Sequence, residues 1–346
     1  MLVVAVPLIV GAGFVLARLS GSHDLARNCA RVFRIVLAIE IAALVIVALL
    51  GLRYERRARE EDASRFHPPG HLVDVGGYRL HLYCTGSGGP TVVLDHGHRA
   101  TYLDWYRVQP EIAQSTRVCS FDRAGYGWSD PSPRSRIPSV MADELHAALQ
   151  AAGEKPPYLL VGHSFGAMNA IMFAHKFPNE VAGVVLVDGP TPESLHRASL
   201  RTRLWLRMMQ LTMPFGLPRW RGWFDGGPTE IVAIKRALTC RPEFIKTIFR
   251  EDAAFPVTVS EIRGITSLGN IQVVVIARDP ATGSNSVLEQ RHGRQQREMA
   301  KLSTNSRFIV AEGSAHDVPL ARPDVIVEAV KSLLRPQVQA GSRGTP

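Results

Sequence analysis

Gly162-His163-Ser164-Phe165-Gly166 sets one hydroxyl between two glycines. A serine is a weak nucleophile on its own. It attacks an acyl carbon when a base takes its proton and fixed donors meet the charge that builds on the carbonyl oxygen. Five residues of this kind do that chemistry when they form a sharp strand-to-helix turn, with glycines on both sides so that the two backbones can pass closely. An apolar run, Tyr158–Val161, comes directly before and a helical pattern directly after. The motif alone is a weak signal, and an ordinary turn serine is its competing reading; the flanking strand and helix favour the nucleophile. The first turn of the helix would then offer the Phe165 N–H to an oxyanion.

A second oxyanion donor is expected from the loop after the third strand. Asp95-His96-Gly97-His98 follows Thr91–Leu94, and the residue after His-Gly, His98, is expected to give its N–H. The side chains of His96 and His98 read as structural or rim groups. The base should come last in chain order. His316, in Gly313-Ser314-Ala315-His316-Asp317, follows the last strand and precedes the final helix. The acid has two candidates, Asp188 closing the sixth strand and Asp279 closing the seventh. Either could instead be a turn residue bonding its own backbone. Asp188 is slightly preferred, for a role confined to orienting and stabilising the imidazole.

Short β-branched runs alternate with helical stretches, which predicts a mostly parallel sheet covered by helices. The strands are Leu72–Val75, Arg79–Cys84, Thr91–Leu94, Arg117–Phe121, Tyr158–Val161, Val181–Val187, Ile271–Ala277 and Arg307–Ala311. Helices are expected over Ser139–Ala152, Phe165–Lys176, Ser286–Leu302 and Pro323–Leu334. Gly76-Gly77 is a hairpin signal, so the sheet should start antiparallel. Residues 190–270 form an insertion rich in Arg, Met, Leu and Trp, placed where open α/β folds bind ligands, and it reads as a helical lid.

The N-terminus has a different character. Leu2–Ala17 carries no charge, and Ile35–Leu52 is apolar but for Glu40, which reads as snorkelling or pairing locally. A membrane crossing asks for about 17–25 residues, so the second run can span and the first is marginal. Two membrane helices, at about 2–18 and 35–52, are expected, with a single helix as the alternative. Residues 53–70 read as a charged linker, 71–338 as the globular domain and 339–346 as a disordered tail. Arginines flank the second run on both sides, so the positive-inside count leaves its orientation open. The net charge of +9 is scattered without a Lys/Arg run, which argues for a basic face toward anionic lipid and against nucleic acid. Four cysteines share no metal-type spacing, and no cofactor or metal is expected.

Asp122-Arg123-Ala124-Gly125-Tyr126-Gly127-Trp128-Ser129-Asp130, the Gly162–Gly166 turn and Val185-Leu186-Val187-Asp188 together resemble the α/β-hydrolase superfamily, and more narrowly its bacterial membrane-anchored members. The likeness runs from about Leu72 to Leu334. It implies an eight-stranded, mostly parallel sheet with a helical lid, Ser164 as nucleophile, His316 as base, and His98 and Phe165 as oxyanion donors. In the narrower group the loop after the seventh strand often lacks an Asp, which favours Asp188. Two positions depart from the pattern. Ala167 stands where a third glycine is common, and the loop His96–Ala100 is bulkier than usual. Dehalogenases and epoxide hydrolases of this fold use Asp where Ser164 stands. The expected reaction is hydrolysis of a carboxylic ester, thioester or amide through an acyl-enzyme, on a small or lipidic substrate, by a monomer at a bacterial cell membrane. An acyltransferase using the same site and a catalytically silent membrane scaffold or lipid-binding protein are the alternatives.

Overall fold

A computed structural model describes residues 23–195, 197–283 and 286–335. The chain divides into two compact units. Among the described residues, one holds His23–Arg65 together with Leu211–Trp223, and the other Phe66–Gln210 with Phe224–Arg335.

The second unit is built on eight strands: β1 (His71–Asp74), β2 (Arg79–Thr85), β3 (Thr91–Asp95), β4 (Val118–Asp122), β5 (Tyr158–His163), β6 (Val181–Val187), β7 (Gln272–Arg278) and β8 (Ser306–Ala311). They lie in the order β1-β2-β4-β3-β5-β6-β7-β8. β2 is antiparallel to both neighbours and the remaining pairs are parallel, as the sequence predicts. The central strands are buried on both faces, and their side chains alternate between two cores because successive residues of a strand point to opposite sides. Leu160, Val184, Leu186, Val273 and Val275 face one core, where α3 (Pro138–Ala151) contributes Leu145 and α4 (Phe165–Lys176) contributes Phe173. Leu159, Val161, Val185, Val187, Val274 and Ile276 face the other, closed by Ile112 of α2 (Gln109–Ala113) and Ile326 of α11 (Pro323–Leu334). Cys84 and Cys119, directly opposed on β2 and β4, form a disulfide.

The insertion between β6 and β7 is helical: α5 (Leu200–Thr212), α6 (Leu217–Trp220), α7 (Thr229–Thr239) and α8 (Pro242–Arg263). It does not stay in one unit, since its stretch 211–223 folds with the N-terminal helix. After β7 come α9 (Ser286–Ala300), then α10 (Val318–Ala321) between β8 and α11.

The first unit is dominated by α1 (His23–Arg65), 43 residues long. Its most apolar window has a mean hydropathy of 2.9 and none of it is buried, so α1 is long and apolar enough to cross a membrane. The charged residues after Leu52, expected as a linker, continue the helix to Arg65. Ion pairs one turn apart, Arg56–Glu60 at 3.0 Å and Arg59–Glu55 at 2.8 Å, support it there. Leu2–Ala17 and residues 339–346 lie outside the described residues.

Candidate active site

Ser164 sits at the junction of β5 and α4 with φ 51° and ψ −122°, a strained backbone for a residue with a side chain. The glycines beside it are required by contact. A Cβ on Gly162 would lie 2.3 Å from the Gly166 carbonyl oxygen, and one on Gly166 would lie 2.3 Å from that of Asp95. Ala167 fits because its methyl group occupies the room that a side chain at residue 189 would need: a Cβ on Gly189 would come within 2.6 Å of it.

The serine hydroxyl donates to His316 Nε2 at 3.0 Å, and His316 Nδ1 donates to Asp188 Oδ2 at 2.6 Å. The fold therefore brings Ser164, His316 and Asp188 into one chain of hydrogen bonds. It does not bring Asp279 to the imidazole. The Asp279 carboxylate accepts the Ala281 and Gly313 N–H groups, each at 2.8 Å, which caps a short turn and ties it to the loop before His316. His163 also serves that loop, donating from Nε2 to the His316 carbonyl at 2.9 Å. Burial, and then the neighbouring His316, hold the His163 imidazole down to about 4.

Asp188 is itself tightly held. Its φ is 44°, its side chain is fully buried, and Oδ1 accepts from His292 Nε2 at 2.6 Å and from the Arg278 N–H at 3.1 Å. The Arg278 guanidinium reaches Oδ2 at 3.2 Å and is oriented from the far side by Glu289, one turn before His292 on α9. Burial alone would raise the Asp188 carboxyl; the His292 and His316 hydrogen bonds outweigh it and keep the group far below the usual carboxylate range. His292 and Arg278 escape sequence reasoning because they lie about a hundred residues from Asp188 and carry no motif. The available signal was weak: Glu289 and His292 stand three apart on a helix, and so share a face.

The backbone N–H groups of His98 and Phe165 border Ser164. A Cβ on Gly97 would be 3.4 Å from that of Ser164, and Phe165 begins α4. Among the described residues neither N–H donates to another protein group. The peptide that carries the His98 N–H is held by Arg123, from the Asp122–Asp130 block. Its buried guanidinium donates to the carbonyls of His96 at 2.6 Å and Gly97 at 3.0 Å, and pairs with Asp95 at 2.5 Å. In a trans peptide the N–H points opposite to the C=O, so holding the Gly97 carbonyl on one side turns the His98 N–H to the other. The His98 ring packs against Phe165 and against Phe255 of α8, with Nε2 3.4 Å from the buried Glu251 of the same helix. Burial pushes this imidazole down to about 4. Glu251 also accepts from Tyr126 at 2.7 Å and lies 3.5 Å from Arg123, so a lid helix packs directly on the loop beside Ser164.

A serine hydroxyl bonded to an imidazole that is itself bonded to a buried carboxylate, beside backbone N–H groups with no protein acceptor, is an arrangement that can perform acyl transfer. One cluster among the described residues has donor atoms close enough for a metal, Cys84, Cys119 and Glu154, and the disulfide ties up both sulfurs.

Residues 90–228 match the profile of the α/β-hydrolase fold family. The uncharacterised protein YbdG of Bacillus subtilis is 28% identical over 193 residues, 55% of this chain and 59% of that one. The 2-hydroxy-6-oxo-2,4-heptadienoate hydrolase of Pseudomonas putida is 34% identical over 122 residues, 34% of this chain and 44% of that one. The chain thus spans about half the length of these curated relatives. Among solved structures, Cfl2 from Burkholderia cenocepacia superposes with a TM-score of 0.61 at 20% identity, covering 77% of this chain and 95% of that one. An esterase from Thermogutta terrifontis gives 0.56 at 22%, covering 77% and 97%. These structural likenesses concern the fold.

Proposed function

We propose that this chain, which has the α/β-hydrolase fold, is a membrane-anchored serine hydrolase that cleaves a carboxylic ester through an acyl-enzyme on Ser164. The observation that carries the reading is the continuous hydrogen-bond line from Ser164 through His316 to the buried Asp188, at 3.0 and 2.6 Å. The Ser164 hydroxyl gives its proton to His316 Nε2 as its oxygen bonds to the acyl carbon. The imidazolium is stabilised by Asp188, which keeps Nδ1 protonated and Nε2 facing the serine. The carbonyl oxygen takes the negative charge and is met by the His98 and Phe165 N–H groups. Collapse of the adduct expels the alcohol, which leaves with the proton from Nε2. A water then repeats the sequence on the acyl-enzyme, with Nε2 as base, and frees the acid and Ser164. Thioesters and amides fit the same steps.

The heptadienoate hydrolase, by its name, is a hydrolase too, which supports hydrolysis over a silent scaffold. We read α1 as the anchor, since none of its most apolar window is buried and it is long enough to span. The Cys84–Cys119 disulfide supports a domain facing an oxidising compartment, hence the outer side of a bacterial cell membrane.

The test is labelling of the detergent-solubilised full chain with a fluorophosphonate, alongside turnover of p-nitrophenyl esters. Ser164→Ala should abolish labelling and lower turnover on the order of a million-fold, with the circular dichroism unchanged. A variant that keeps turnover within about tenfold would overturn the assignment.

A further inference from the structure

Residues 211–223 leave the lid insertion to pack on α1, and the packing is tied to particular levels of that helix. At Gly51 there is no room for a side chain: a Cβ would lie 2.6 Å from the Phe215 carbonyl oxygen. One turn further on, a Cβ on Gly216 would lie 2.6 Å from the Tyr54 ring. Beyond that, the buried Arg219 pairs with Glu55 at 2.9 Å and Asp62 at 2.8 Å. The segment therefore has a fixed register on α1, with Phe215 beside Gly51, Gly216 beside Tyr54 and Arg219 beside Glu55 and Asp62.

Register on a membrane helix is depth. The apolar run Ile35–Leu52 is centred between residues 43 and 44. At 1.5 Å per residue Gly51 lies about 11 Å from that centre, Tyr54 and Glu55 about 16–17 Å, and Asp62 about 28 Å. The hydrocarbon half-thickness is about 15 Å, so Phe215 falls just inside the acyl region, Gly216 at its edge, and Arg219, held between Glu55 and Asp62, among the headgroups or beyond them. The side chains suit those levels. Phe215 is 40% exposed and Trp220 69%, with the Arg221 guanidinium 5.6 Å from the Trp220 ring. Aromatic rings and arginine are the groups that settle at a membrane interface, the ring at the acyl boundary and the cation among phosphates.

We propose that 211–223 is an interfacial element that inserts into the leaflet on the hydrolase side of the membrane, with Phe215 below the headgroups and Trp220 among them. The occupant of this surface is the lipid bilayer. The inference rests on the reading of α1 as a membrane span and goes beyond it, because it places the middle of the lid insertion in the bilayer as well. The insertion that carries Phe255 and Glu251 to the Ser164 site is then fastened in lipid through its own chain, which favours an ester that partitions into the leaflet.

The experiment uses the full chain in vesicles of phosphatidylcholine and phosphatidylglycerol, with acyl chains brominated either near the headgroup or near the chain end. Trp220 is isolated as the difference in fluorescence between the natural chain and Trp220→Phe. A reference for the span comes from Val45→Trp in the Trp220→Phe background. The expected result is a Val45→Trp signal quenched mainly by the deep bromines. The Trp220 signal should be quenched about twofold more by the shallow ones, as a position at or outside the hydrocarbon edge, about 15 Å from the centre, requires. Deep quenching of Val45→Trp with a Trp220 signal that neither lipid quenches overturns the interfacial element and leaves the anchor standing. A Val45→Trp signal that neither lipid quenches overturns both.

Discussion

His292 is the most informative residue to perturb, because it touches neither Ser164 nor His316. In His292→Ala the buried Asp188 loses one of its two 2.6 Å partners and keeps His316, the Arg278 N–H at 3.1 Å and its guanidinium at 3.2 Å. A hydrogen bond to a charged group is worth about 1.5–3 kcal/mol, and water entering the vacated space recovers part of it, so stability should fall by about 2 kcal/mol. The larger effect should be on rate. With Oδ1 left to the Arg278 N–H alone at 3.1 Å, the carboxylate can turn further about its own bond and let the imidazole drift. A displacement near 1 Å in such a site costs on the order of a hundredfold. Asp188→Asn sets the upper limit, at about 10⁴-fold, since it favours the wrong imidazole tautomer. His292→Gln, whose amide N–H can reach the same oxygen, should recover most of the loss. The assay is kcat and KM on a p-nitrophenyl ester, with thermal unfolding in the same detergent. If His292→Ala lowers the melting temperature while kcat stays within twofold of the natural chain, the side chain braces α9 and does not position the acid. A fall in KM with unchanged kcat/KM would refute the reasoning as well.

Asp279→Asn should cost no more than a few-fold in kcat, against about 10⁴ for Asp188→Asn; Asn keeps only one acceptor for the Ala281 and Gly313 N–H groups. Equal losses in the two variants would mean that the acid is misassigned. Stability should fall as the pH drops from about 6.5 toward 4, because His163 stays neutral in the fold down to about 4 and takes up a proton near 6.5 once unfolded. Below about 4 this contribution is spent, and the depressed Asp188 carboxyl adds its own loss there. Urea midpoints measured across that range should slope less in His163→Gln, and parallel slopes would rule His163 out as the cause.

The eight strands were legible because buried parallel strands are written as β-branched runs, and the runs match β1 to β8 within a residue or two. Ser164 and His316 were legible through chain order, since each follows a strand end at the site's edge of the sheet, and the fold brings them to 3.0 Å. Chain order could not separate Asp188 from Asp279, because both close neighbouring parallel strands. What separates them is the left-handed backbone at Asp188 and the side chains that reach it from β7 and α9, none of which local sequence encodes. The charged stretch after Leu52 was misread as a linker by composition, although its i,i+4 Glu and Arg spacing was a helical signal in plain view. The Cys84–Cys119 bridge has a separation of 35 residues and becomes visible only when β2 and β4 are set in register. The exchange of 211–223 between units was illegible for a similar reason: Arg219 finds Glu55 across 164 residues of chain.

The contact between Ala167 and Gly189 constrains the order in which these two positions can change during descent. Ala at 167 with Gly at 189 is the present state, and Gly at 167 with Ala at 189 would fill the same volume with the methyl group moved across. The two routes between them are unequal. Placing Ala at 189 first creates two methyl carbons about 2.6 Å apart behind Ser164, and the backbone carrying Ser164 or Asp188 must shift to relieve it. Placing Gly at 167 first opens only a methyl-sized gap, at a cost of about 1 kcal/mol. A lineage can therefore pass through the gap and not through the clash. In laboratory selection for activity the same asymmetry should make Gly189→Ala inactivating alone and tolerated in an Ala167→Gly background.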